Sequence, residues 1–213
     1  MTGSALELLL ADGRTPTGGF AHSGGLEACA LTAREVPHFI RARLRTVGLI
    51  DAAVAARAAA GDDPRELDDA WAARTPVPAV RDAGRRLGRA LLRLSLRLWP
   101  GTALEPYAAA SSLTPRPVVL GLAGSAAGME PLAVARLSLY DDAATVVSAA
   151  PKLLAVDALD ATAWLAGVAP LIDALAARAV GIGPTDPLPA PSTPLLDRRA
   201  FAHNLEERRL FVS

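Results

Sequence analysis

Residues 77–99 read VPAVRDAGRRLGRALLRLSLRLW, and their spacing decides the fold class. Val80, Gly84, Leu87, Leu91, Leu94 and Leu98 recur at three- and four-residue steps, the period that gathers side chains on one face of an α-helix. Arg85, Arg89, Arg93 and Arg97 step by four along another face, and Pro100-Gly101 ends the pattern. Such an arginine row could meet an acidic partner or nucleic acid. It also reads as a solvated face paired with neighbouring helices, the blander and favoured reading. No aromatic residue interleaves with it, which weighs against nucleic acid.

The same period extends outward in both directions. In 36–60, Phe39, Ile40, Leu44, Val47, Ile50 and Val54 form a stripe, with Arg41, Arg43, Arg45 and Arg57 mostly off it. Gly61-Asp62-Asp63-Pro64 then stops one helix and opens the next. Residues 117–129, PVVLGLAGSAAGM, predict a central helix whose Gly121, Gly124 and Gly128 allow close backbone approach. Glu130-Pro131 opens a further helix to Ala150, with a break or kink at Pro151, and Asp160 caps a helix over 161–180. Strand signals are scarce, with aromatic residues at only 4%. Residues 181–194, GIGPTDPLPAPSTP, carry five prolines and predict an extended connector. A short charged helix over 195–209 and an apolar end follow. The expected fold is all-α: a single helical bundle over residues 1–182, then a proline-rich connector and a C-terminal partner-binding tail over 183–213 that stands free of the bundle.

Composition agrees and excludes several functions. Of 213 residues, 46 are Ala and 21 are Arg, both good helix formers. Basic and acidic residues balance at 22 each, which argues against a general binder of phosphate backbones and predicts no nucleic-acid partner. One Cys excludes an internal disulfide framework and any Cys-rich zinc module. The N-terminus has no basic leader, and the uncharged run 117–129 is too short to span a bilayer. The expectation is a soluble cytoplasmic protein that engages no membrane.

Enzyme chemistry finds little support. A phosphate loop needs closely spaced glycines feeding a Lys, and the one lysine, Lys152, follows Pro151 without such a loop. Gly18-Gly19 and Gly24-Gly25 lack the GxGxxG spacing of a dinucleotide site. Ala21-His22-Ser23-Gly24-Gly25 approximates a nucleophile elbow around Ser23, but a loop precedes it where a strand belongs. His22, Cys29, His38 and His203 show neither HxxxH nor CxxC spacing. Any metal site would have to be assembled by the fold from these scattered residues.

The most peculiar stretch is residues 15–27, TPTGGFAHSGGLE. Its glycine pairs permit unusual backbone, Pro16 stiffens its start, Ser23 is a plausible helix cap and Glu27 falls in the first turn. This stretch resembles the N-terminal signature of the UreF family of urease accessory proteins, an LPxGGFxHSxGLE-like pattern. Thr15 and Thr17 replace the commoner apolar residues. Further matches follow in order: Arg85, Gly88, Leu91 and Leu92; Val119 and Gly121; Lys152, Leu153, Leu154 and Asp157; and Arg209, Leu210, Phe211 and Ser213 at the terminus.

The resemblance implies an all-helical, dimeric, non-enzymatic assembly factor without a cofactor. It would bridge the accessory protein UreD (also called UreH) and the GTPase UreG, and so deliver nickel to apo-urease; the rival to this scaffold is a nickel-binding metallochaperone acting through His22, Cys29 and His203. It points to partner contacts at Pro16, Gly18, Gly19, Phe20, His22, Ser23, Gly25 and Glu27, at Arg85, and at Arg209, Leu210, Phe211 and Ser213. One departure stands out. The family commonly carries a His just before the central helix, where this chain has Thr114-Pro115-Arg116-Pro117 and no His between His38 and His203.

Overall fold

The computed structural model describes residues 5–111, 114–203 and 210–211. Their regular elements are helices, with no strand among the described residues: α1 Ala5–Ala11, α2 Leu26–Cys29, α3 Val36–Arg43, α4 Leu49–Ala60, α5 Pro64–Ala73, α6 Pro78–Leu98, α7 Leu104–Ala110, α8 Arg116–Ala126, α9 Pro131–Leu154, α10 Ala158–Val180 and α11 Pro194–His203. A π turn, Leu44–Gly48, joins α3 to α4.

Helices α4 and α8 form the centre. Ala52, Ala53, Val54 and Ala55 on α4, and Val118, Val119, Leu120 and Ala123 on α8, are wholly buried. Their closeness rests on Gly121, where a methyl group would collide with the Ala55 carbonyl. Gly124 is likewise pressed against Val134 of α9, but Gly128 plays another part. It adopts φ 81° beyond the end of α8 and faces open space, so it serves the turn and not the packing.

Several boundaries differ from expectation for local reasons. Helix α9 continues through Pro151 to Leu154, because Leu153 and Leu154 pack against the core and hold the last turn; Ala155 at φ 50° ends it. Asp157, not Asp160, caps α10: its carboxylate accepts the Leu159 amide at 2.6 Å. On α6 the buried face is Ala83, Gly88, Leu91, Leu92 and Ser95, while Leu87, Leu94 and Leu98 are only half-buried. Gly88 abuts the backbone of Thr114 and Pro115 ahead of α8, so the closest approach falls on small residues that a hydrophobic stripe underweights.

The connector and tail depart most from expectation. Their described residues pack on the bundle. Prolines remove amide donors but leave carbonyl acceptors, and two arginines supply the missing donors. Arg57 reaches the carbonyls of Pro184 (2.7 Å) and Asp186 (3.3 Å); Arg74 reaches those of Leu188 and Pro189, both at 3.0 Å. Leu188 and Phe211 are each only 5% exposed and belong to the main core. The helix predicted to Arg209 is described only to His203.

Helix α10 is long and apolar enough by length and composition to cross a membrane. Ala161, Val168, Ile172, Leu175, Ala176 and Ala179 make its buried face, and Leu159 and Val180 lie exposed.

Candidate functional site

The stretch 15–27 is held by its own backbone. Thr15 Oγ1 donates to the Leu9 carbonyl (2.8 Å), tying the stretch to α1. Gly18 at φ 84° turns the chain into a short 3₁₀ turn, Gly19–Ala21, to which Phe20 contributes backbone. Gly24 (φ 63°) and Gly25 (φ 84°) then reverse it into α2, a conformation that side chains resist. Ser23 is wholly buried, and its hydroxyl accepts the Glu27 amide at 3.3 Å, but the cap of α2 is Gly25 and not Ser23, because the helix begins only at Leu26. His22 is buried too. Burial holds its pKa below the usual value, and the charges of Arg86 and Arg116 push it the same way, so the imidazole is neutral at physiological pH. Pro16 is exposed, and Gly18 and Gly19 are half-exposed.

Glu27 joins two stretches that the sequence presents at opposite ends. Its two carboxylate oxygens accept the backbone amides of Leu210 (2.7 Å) and Phe211 (3.0 Å). The His203 Nε2 lies 3.4 Å from the same carboxylate. Gly25 makes room beside this contact, since a methyl group there would stand 3.2 Å from Leu196 of α11. The Lys152 ammonium sits 5.4 Å from the centre of the Phe211 ring. Gly25, Glu27, Leu210 and Phe211 therefore form one site, with Leu210 exposed at its edge. Arg85 is elsewhere, half-buried and 3.8 Å from Asp68 of α5. Arg209 and Ser213 lie outside the described residues.

Behind the site lies a charged interior. A cavity of about 110 Å³ is walled by Gly24, Gly25, Arg43 and Asp51 on one side and by Leu196 and His203 of α11 on the other. A second, of about 130 Å³, shares Gly24, Arg43 and Asp51 and reaches His22, Trp71, Arg116 and Asp142. Arg43 donates through Nε (2.9 Å) and Nη2 (2.7 Å) to one oxygen of Asp142, whose other oxygen is buried without a hydrogen bond among the described residues. Asp51 accepts from the Trp71 indole at 2.9 Å. Burial, with Asp142 nearby, pushes its carboxyl up to about 6. Arg116 pairs with Asp141 at 2.9 Å.

Sequence reasoning missed this group. A signal was present: Arg43, Val47 and Asp51 follow at four-residue steps, so two charges share the face of a residue on the apolar stripe. Among the described residues no three His, Cys, Asp or Glu side chains converge as a metal site would require, so His22, Cys29 and His203 do not assemble one. Cys29 is half-buried, and burial pushes its thiol up, away from the thiolate that binds metals.

The family model for UreF matches residues 31–169, well over half the chain. The chain belongs to the UreF family. It is 40% identical to the urease accessory protein UreF of Mycobacterium sp. (strain JLS), over the full length of both chains. It is 39% identical to that of Mycobacterium marinum and 38% identical to that of Mycobacterium tuberculosis (strain H37Rv), again over the full length of both. The UreF family match begins after the 15–27 stretch and ends before the tail, so the Glu27 site lies where only the full-length relatives reach.

Proposed function

We propose that this UreF-family chain is a non-enzymatic scaffold of urease maturation, joining UreD (UreH) to the GTPase UreG so that nickel reaches apo-urease. The observation that carries the reading is end-to-end likeness to proteins named urease accessory protein UreF. The Glu27 site supports it in kind. Its chemistry is backbone recognition and apolar contact, which suits a protein partner, and Leu210 offers an exposed apolar side chain at its rim. Pro16 and the half-exposed Gly18 and Gly19 offer further backbone to a partner, and His22 and Ser23 are buried in the same stretch. The scaffold works as a cytoplasmic homodimer. A second copy would cover exposed apolar residues such as Tyr140, Leu159 and Val180.

The test is reconstitution from purified parts. Activation of apo-urease by UreD, UreG, nickel and GTP should depend on this chain, and UreG should be captured on tagged UreD only when it is present. Equal capture without it overturns the bridging role. The chain alone should neither bind nor hydrolyse GTP, and saturable micromolar binding would contradict that.

A further inference from the structure

Along the arginine face of α6, Arg85 alone finds a carboxylate among the described residues, at 3.8 Å from Asp68. Arg86, Arg89, Arg93 and Arg97 are exposed and form no ion pair with any described residue, and they stand at steps of three, four and four. That spacing places four guanidinium groups along roughly 16 Å of one helix edge. In a chain of zero net charge this is a concentrated positive stripe, left open to solvent.

The stripe borders a cleft. Between α6 and α7 a groove of about 530 Å³ has Arg86, Arg89 and Arg93 on its rim and Leu92, Leu96 and Ala108 within it. Leu92 is nearly buried and Leu96 partly so, which makes the floor apolar and firmly packed. Cations above an apolar floor ask for a ligand with both properties. A bare polyanion would satisfy the rim and leave the floor wet. A nucleic-acid strand would want aromatic faces on which to stack, and the nearest aromatics, Trp99 and Tyr107, are buried.

We infer that the α6–α7 groove docks an acidic amphipathic helix of a protein partner. Its leucine-like side chains enter between Leu92, Leu96 and Ala108, and its carboxylates pair with Arg89 and Arg93. The guanidinium fork donates two parallel hydrogen bonds to a carboxylate, and the arginine spacing of three and four matches the spacing of acids on one face of such a helix. The site stands apart from the Glu27 site and does not depend on which accessory proteins the chain joins.

The experiment uses the full chain and three fluorescein-labelled probes. One is a helical peptide of about 14 residues carrying Glu and Leu on a shared face, a length near four helical turns. The others are polyglutamate of equal length and charge, and a single-stranded oligonucleotide. The Glu/Leu peptide should bind saturably and weaken with salt. It should lose about ten-fold or more in affinity when its leucines become serines, and again on Arg89→Glu/Arg93→Glu in the protein. The arginines are exposed, so an unchanged circular dichroism melt would show that the variant folds. Equal binding by polyglutamate would reduce the stripe to a diffuse charge patch and overturn the groove. Tighter binding by the oligonucleotide would replace the protein partner with nucleic acid. Undiminished peptide binding by the double variant would place the peptide elsewhere.

Discussion

Replacing Phe211 by alanine should loosen the whole C-terminal tail and lower the stability of the bundle. The ring is 95% removed from water, joins the main core and lies under the Lys152 ammonium at 5.4 Å. Truncating a packed Phe to Ala costs about 3–5 kcal/mol, and losing a cation–π contact adds about 0.5–1. The full sum is not expected, because the tail can detach once its anchor is gone, so the loss is capped at the free energy of tail docking. About 2–3 kcal/mol is the consistent figure. For a chain of this length each kcal/mol moves Tm by about 2–4 °C, giving a drop of roughly 5–10 °C. Hydrogen exchange supplies the local reading. The Leu210 and Phe211 amides, both bonded to Glu27, should exchange some 30- to 100-fold faster in the variant. An unchanged Tm with unchanged protection at both amides would refute the argument and restore the free arm that the proline-rich connector suggests.

Two further outcomes follow from the packing and the interior charges. Gly88→Ala should destabilise severely, as a lowered Tm or insoluble expression, because its methyl group would collide with the Thr114 carbonyl, a backbone atom that cannot swing aside. Near-normal melting would mean that α6 and the start of α8 slide freely. Asp51→Asn should flatten the dependence of stability on pH. With a folded pKa near 6 against an ordinary value near 4, the buried acid keeps its proton longer in the folded state, so stability falls as pH rises through that window and the cost is fully present above about 6. That cost is about 3 kcal/mol in all, and the variant should gain about 1 kcal/mol on the native protein between pH 5 and pH 7.5; parallel profiles of Tm against pH would refute it.

What the sequence discloses depends on how local the physics is. Caps and breaks are local, so Gly61, Pro64 and Pro131 mark helix ends where the periodicity places them. Hydrophobic spacing finds α6 to within a residue at each end, yet misjudges its buried face, because the tight contact at Gly88 is set by a backbone far along the chain. The tail fails for a related reason. Proline content says that a segment cannot be helical; it does not say whether Arg57 and Arg74 will be near enough to bind its carbonyls. The site divides in the same way. Glu27 is legible as a first-turn acid, but the carboxylate that holds Leu210 and Phe211 acts across more than 180 residues. Arg43 and Asp142 meet across 99 residues, and only Asp51 on the stripe of Val47 hints at their interior.

The tail and the buried acid are linked by one wall. Leu196 and His203 of α11 close the cavity that Asp51 borders, so the tail that Phe211 anchors also keeps water from the carboxylate. If so, the two perturbations cannot be independent. In the native protein Asp51→Asn relieves a desolvation cost. In a Phe211→Ala background, where the tail detaches more readily and water enters, the same carboxylate is already partly hydrated and its removal relieves less. The double variant at pH 7.5 should therefore be less stable than the sum of the single effects implies, by more than the 0.5 kcal/mol within which independent sites add. The discrepancy should shrink toward pH 5, where Asp51 is largely protonated in the folded state and water gains little by reaching it. Additivity at both pH values would mean that the tail packs beside the cavity without sealing it, and that the charge on Asp51 is set by the bundle alone.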